Sequence, residues 1–169
     1  MIAALDRLRA MRDGLAPPPR VYRTLSLSVI DAHTGFVKIG LLPSAKHANP
    51  FGIVAGGVLL TVIDTAASWA CETSDRAGRV AITIDIQAHF LRPVPLQATL
   101  FTAAARTVFK GSRTAVAQAR LTGPNRTLHL IATLTCLFSD RSSQRFEPKQ
   151  RPLAGRKRVS RPAPVQVTT

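Results

Sequence analysis

Acidic residues are scarce in this chain of 169: nine Asp and Glu stand against 23 Lys and Arg, a formal charge of +14. Between Lys46 and Glu72 the only formally charged residue is Asp64. Aromatic residues make up 5% and there are two cysteines, too few for a small scaffold stapled by disulfides. Cys71 and Cys136 lie in apolar stretches without metal-ligand spacing and read as buried free thiols. The four histidines (His33, His47, His89, His129) are scattered, so no metal cluster is expected, and His47 reads as a surface loop residue. The most apolar segment falls short of the roughly 20 residues that cross a bilayer. Asp6 and Asp13 break the opening residues where a secretory signal would be apolar, so a cytoplasmic protein without membrane attachment is expected.

What is present suits one domain with an aliphatic, alanine-rich core, since 46% of the residues are hydrophobic. Residues 139–169 hold eight of the bases but only Asp140 and Glu147 as acids, with four prolines and no hydrophobic periodicity. They read as a basic disordered tail. Only Phe146 interrupts that tail as an aromatic, so no nucleic-acid partner is expected. Residues 1–20 read as a short amphipathic helix followed by a linker through Pro17-Pro18-Pro19. The domain itself is expected over residues 21–138.

Within that domain, residues 57–71 lack proline and internal glycine and are apolar on nearly every face. A buried central helix starting at the Gly56-Gly57 pair is predicted. The first N–H groups of a helix have no intrahelical partner and sit at the positive end of its dipole, and glycine lets an oxygen approach them. Asp64 falls close to two turns later on the same face, and Ser68 one turn beyond. A carboxylate in such surroundings costs several kcal/mol unless it is hydrogen-bonded or chemically used. Donors for an oxyanion, a carboxylate and a hydroxyl on one face together point to acyl transfer.

Strands are expected over 22–30 and 35–42, joined by a turn at 31–34. After the helix the period becomes two: Val80, Ile82, Ile84, Ile86, Ala88 and Phe90 alternate with Ala81, Thr83, Asp85, Gln87 and His89, which predicts one buried face along the whole run. Further strands follow over 97–109, through Ala115, Ala117, Ala119 and Leu121, and over 127–138 as an antiparallel meander, with the small alanines facing inward. A sheet of that kind can curl tightly around one helix. Lys110-Gly111-Ser112-Arg113 forms a basic turn, a candidate seat for phosphates or simply a solvated surface turn. Arg92 beside Pro93 is a lesser candidate of the same kind.

The run Asn49-Pro50-Phe51-Gly52-Ile53-Val54-Ala55-Gly56-Gly57, followed by Asp64, resembles the N-x-x-G-x-x-H-G-G…D signature of PaaI-like acyl-CoA thioesterases. Ile82-Thr83-Ile84-Asp85-Ile86-Gln87-Ala88-His89-Phe90-Leu91-Arg92-Pro93 is similar to the strand that follows the helix in that family. The resemblance covers about residues 21–138 and implies an α+β hotdog fold, an antiparallel sheet wrapped around one long helix. It implies acyl-CoA hydrolysis without metal or cofactor, in a homodimer or dimer of dimers whose site spans two chains. Asp64 then matches the catalytic base or nucleophile, Gly56 N–H the oxyanion donor with Gly57 beside it, and Asn49 the positioning amide. Thr83 and Ser68 fall where relatives carry hydroxyls. On spacing alone, Asn49 is a turn residue, Thr83 an ordinary strand threonine and Ser68 a hydroxyl bonded to its own helix. The family histidine before the glycine pair is Ala55 here, which keeps a non-catalytic acyl-CoA-binding hotdog as the alternative. A hotdog dehydratase needs a histidine near the acid, and none lies between His47 and His89.

Overall fold

The computed structural model describes residues 3–140. Residues without a helix breaker form the long helix α3, Gly56–Ser74, as the apolar pattern requires. Leu59, Val62, Ile63, Ala66, Ala67, Ala70 and Cys71 along it are buried. Opposing them, the sheet presents Ala103, Ala105, Ala115, Ala117 and Ala119, all at most 1% exposed. Side chains this small let helix and sheet backbones approach closely, and each Val or Leu buried between them contributes about 1.5–3 kcal/mol.

The sheet has six strands: β1 Leu27–His33, β2 Phe36–Leu41, β3 Val80–Phe90, β4 Phe101–Lys110, β5 Thr114–Thr122 and β6 Leu128–Ser139. Their order is β1-β2-β4-β5-β6-β3, every neighbouring pair antiparallel. The expected hairpin and meander are therefore present, while β3, first strand after the helix, crosses to the far edge beside β6. Among the described residues its outer edge has no partner strand.

Three local expectations are corrected. Residues 22–24, expected to open a strand, belong to a short helix, α2 Arg20–Thr24, begun by Pro19, whose carbonyl accepts from Tyr22 N–H at 3.0 Å. It buries Tyr22 to 2% exposure, and burial pushes that phenol's pKa up. Residues 97–100 are likewise outside β4. The third correction concerns β3. Its alternation is interrupted by a bulge between Thr83 and Asp85, where Ile84 is left unpaired. One inserted residue reverses which side chains face inward. Thr83 pairs with buried Cys136 and Ile86 with buried Leu134, whereas Ile82 and Ile84 are turned outward, 38% and 58% exposed.

The helix α1, Ala4–Arg12, buries Leu8 and Ala4 against β1 and α3. Arg7 stacks over Trp69 at 4.7 Å and pairs with Glu72 at 3.3 Å. Of the disordered tail expected over 139–169, residues 141–169 lie outside the described residues, and Ser139 still belongs to β6.

A charged clamp closes the C-terminal end of α3. The Asp75 carboxylate, 1% exposed, accepts from Arg79 Nη2 at 2.9 Å and Nε at 3.1 Å, and Lys110 Nζ lies 3.4 Å away. Arg79 Nη1 in turn donates to the Ser112 carbonyl at 2.8 Å. Hydrogen bonding from Arg79 holds the Asp75 carboxyl below its ordinary pKa, against the opposing effect of burial. A lowered carboxyl pKa stabilises the fold above the unfolded value, about pH 4, and the gain disappears as pH falls through the folded value. Asp75→Asn is expected to cost on the order of 2 kcal/mol at neutral pH in urea unfolding. The difference from wild type should shrink on acidification towards the folded pKa and vanish below it.

Candidate active site

The start of α3 is built by the loop before it. Ala55, in extended conformation, is its N-cap, and its carbonyl accepts from Val58 and Leu59 N–H at 3.0 and 3.3 Å. Ala55 N–H itself donates to the His47 carbonyl at 2.8 Å. Among the described residues the N–H groups of Gly56 and Gly57 have no acceptor, as the first turn of a helix leaves them.

Asn49 shapes that loop. Its Oδ1 accepts from Phe51 N–H at 2.9 Å and Ile53 N–H at 3.3 Å, and its backbone N–H donates to the Ile53 carbonyl at 2.8 Å. Gly52 completes the turn with φ of +73°, a value that favours glycine. The side-chain oxygen is committed to the turn, so only the NH₂ remains to donate elsewhere. Asn49, Ile53, Gly56, Leu59, Phe90 and Arg92 are among the residues lining a depression of about 370 Å³ at this end of the helix. Sequence reasoning overlooked Phe90, Ile53 and Leu59 there. The signal available was the Phe90-Leu91-Arg92-Pro93 run, read as the end of a strand.

Asp64 does not line that depression. It is half-buried, eight residues down the helix and so about 12 Å from Gly56 along the axis. Thr83, turned inward by the bulge, donates its Oγ1–H to Asp64 Oδ1 at 2.6 Å and lies 3.8 Å from Cys136 Sγ. The bond to Thr83 fixes the orientation of the acid. Ser68 Oγ donates to the Thr65 carbonyl at 3.3 Å, a bond within its own helix. One chain therefore brings together Asp64 with Thr83, and Asn49 with Gly56, as two separate halves. Leu60, Asp64 and Ser68 form a partly exposed stripe along the helix, continuous with exposed Gly57.

The turn holding Lys110, Gly111, Ser112 and Arg113 lies by Asp75, at the opposite end of α3 from Gly56 and about 28 Å away along the helix. Its groups are engaged: Lys110 with Asp75, Gly111 N–H with the Thr114 carbonyl at 2.8 Å, the Ser112 carbonyl with Arg79, and the Arg113 carbonyl with Phe138 N–H at 2.8 Å. Arg92, in contrast, stands at the Gly56 depression, bonded through Nη1 to the Leu128 carbonyl at 2.8 Å.

His47 is not a surface residue. It is 1% exposed, and Nδ1 accepts from Ser44 N–H at 3.1 Å. Burial, helped by Lys46, pushes its pKa down, so the ring is neutral with its proton on Nε2. Cys71 and Cys136 are free and buried. Their mutual hydrogen bond, together with burial, pushes the Cys71 thiol up, which makes it unreactive. Among the described residues no three His, Cys, Asp or Glu side chains are grouped to hold a metal, and no helix is long and apolar enough to cross a membrane.

The family model of the thioesterase superfamily matches residues 51–128, the stretch containing both halves except Asn49. No curated protein matches the sequence. The structure is similar to the Escherichia coli PaaI protein of the phenylacetic acid degradation operon: TM-score 0.70, 19% identity, 81% of this chain and 96% of that one covered. A phenylacetic acid degradation-related protein of Ralstonia eutropha is 26% identical at TM-score 0.68, over 78% of this chain and 98% of that one. Zebrafish thioesterase superfamily member 2 is 18% identical at TM-score 0.69, over 82% of this chain and 100% of that one. The superfamily match over residues 51–128 and the shared architecture show that this chain has the hotdog fold and is similar to PaaI-like thioesterases.

Proposed function

We propose that this protein hydrolyses acyl-CoA thioesters to a free acid and CoA in a homodimer whose two sites each combine groups from both chains. The observation that carries this reading is the separation of the two half-sites along an open edge strand. Gly56 and Asn49 lie by the Phe90 end of β3, and Asp64 lies by the Thr83 end. An unpaired edge bearing exposed Ile82, Ile84 and Phe90 is a template for another strand. Antiparallel pairing of β3 with a second β3 about its middle, the two-fold arrangement commonest among homodimers, sets the Phe90 end of one chain against the Thr83 end of the other. Gly56 then faces Asp64 of the partner subunit. Two such dimers can associate further.

In this arrangement the Gly56 N–H, strengthened by the helix dipole, donates to the thioester oxygen and stabilises its developing charge. The Asn49 NH₂ orients the water or the thioester. The partner's Asp64, pinned through Oδ1 by its Thr83, uses Oδ2. It either takes a proton from the attacking water, or attacks the carbonyl carbon to form an anhydride that water then opens. In both routes the C–S bond breaks and CoA leaves as the thiolate, which takes up a proton. For the CoA phosphates, Arg92 beside the depression and Arg113 at the β4–β5 turn are the available cations, Lys110 being shared with Asp75. Free thiols and acyl-CoA chemistry fit a cytoplasmic setting.

Asp64→Asn keeps size and hydrogen bonding but removes base and nucleophile, so turnover should fall about 10²- to 10⁴-fold while CoA affinity survives. Thioester hydrolysis and CoA binding measured on one folded preparation test this, and near-wild-type turnover removes Asp64 from the mechanism. An acyl-CoA panel that binds but is never hydrolysed by the wild-type protein would make it a binder only. Thr83→Val, which loses the 2.6 Å bond, should lower kcat about tenfold with KM nearly unchanged, because the acid loses orientation. Finally, mixing Asp64→Asn with Gly56→Val subunits should recover about a quarter of wild-type sites, since half the dimers are mixed and each has one intact site. No recovery after verified subunit exchange means that the site lies within one chain.

A further inference from the structure

Phe90 is a large apolar ring that a single chain leaves half uncovered. It ends β3 opposite buried Leu130, which directs it to the α3 side of the sheet, yet it remains 52% exposed. Its Cε1 and Cζ stand 3.4 Å from where a Cβ on Gly56 would be. The ring therefore rests against the backbone of the first helical residue, beside the N–H groups that have no acceptor, and lines the depression with Asn49, Leu59 and Arg92. Next on the same side of β3 comes Ala88, paired with Ala132, then Ile86 and, past the bulge, Thr83. The strand thus offers a wide aromatic wall at the oxyanion donor and a small residue directly beyond it.

We propose that Phe90 is a specificity-determining residue that selects against branching at the carbon next to the thioester carbonyl. The inference rests on the acyl-CoA reading above. A carbonyl oxygen accepting from Gly56 N–H lies about 2.9 Å from that nitrogen. The carbon attached to the carbonyl then meets the ring already touching Gly56. A straight-chain or flat acyl group passes along the ring and continues over Ala88, whereas a methyl branch at that carbon meets the ring atoms. A methyl-sized difference in an apolar pocket is worth roughly 10- to 200-fold in kcat/KM.

The test compares a straight-chain acyl-CoA with its isomer methylated next to the carbonyl, in wild type, Phe90→Ala and Phe90→Tyr. Hydrolysis is measured as kcat/KM. Affinity is measured in parallel with the non-hydrolysable thioether analogues of the same two acyl groups, so the readout does not depend on turnover. Dimer mass and thermal unfolding establish that the variants are folded. The expected result is a wild-type preference for the straight chain of about tenfold or more, retained in Phe90→Tyr and erased or reversed in Phe90→Ala. Hydrolysis with the same preference in wild type and Phe90→Ala overturns the assignment and leaves the thioesterase reading standing. Absence of hydrolysis with the affinity preference still governed by residue 90 overturns the thioesterase reading and supports the assignment. A wild-type protein that binds neither analogue overturns both.

Discussion

Alanines at 103, 105, 115, 117 and 119 bring the backbone of α3 close to the curled sheet, and the positions of the functional groups follow from that closeness. A larger side chain at any of them would have to displace the helix, because interiors packed to this density cannot absorb an extra methylene without strain. With the helix fixed lengthwise, Gly56 is held at the Phe90 end of β3 and Asp64 at the Thr83 end. The Asp75, Arg79 and Lys110 clamp secures the other end of the same helix to the β4–β5 turn. Helix geometry sets the distance between Gly56 and Asp64, packing sets where each meets β3, and the clamp keeps the helix from sliding.

The edge strand supplies what packing alone does not. A regular β3 would have buried Ile82 and Ile84 and turned Thr83 to the outer face. Inserting Ile84 as a bulge gives up that apolar burial and gains a hydroxyl aimed at the acid, together with two outward isoleucines beside an unpaired edge. Exposed apolar side chains next to open backbone hydrogen-bonding groups are a liability in a monomer. They become an advantage where a second copy of the strand covers them. Leu60, Asp64 and Ser68 likewise leave a partly exposed stripe along the helix.

Much of this was legible in the residues. The long apolar helix with its glycine pair, the alanine faces of β5 and the lone acid in an apolar run each carry their own physical reason, since helix period, sheet period and the cost of burying a carboxylate are local or nearly local properties. Thr83 was legible only as a strand threonine until resemblance gave it a second role, because a hydroxyl in a strand has no signature of its own. The basic turn at Lys110 to Arg113 read as free donors, and tertiary contacts with Asp75 and Arg79 had already engaged several of them. His47 read as a loop residue on the surface, and it is a loop residue, but one whose ring is folded inward onto Ser44 N–H.

By itself the sequence determined the long central helix, the existence of the six strands though not all of their bounds, which residues can fill the core and where an acid without a charged neighbour must lie, since each depends on spacing along the chain. Tertiary structure alone decided that β3 crosses to the edge beside β6, that a bulge reverses its inward face, that Phe90 closes against Gly56, and that Asp64 lies outside the depression that Gly56 lines. These features arise from pairings between residues distant in sequence, and a period read along one strand carries no information about the register or neighbours of that strand.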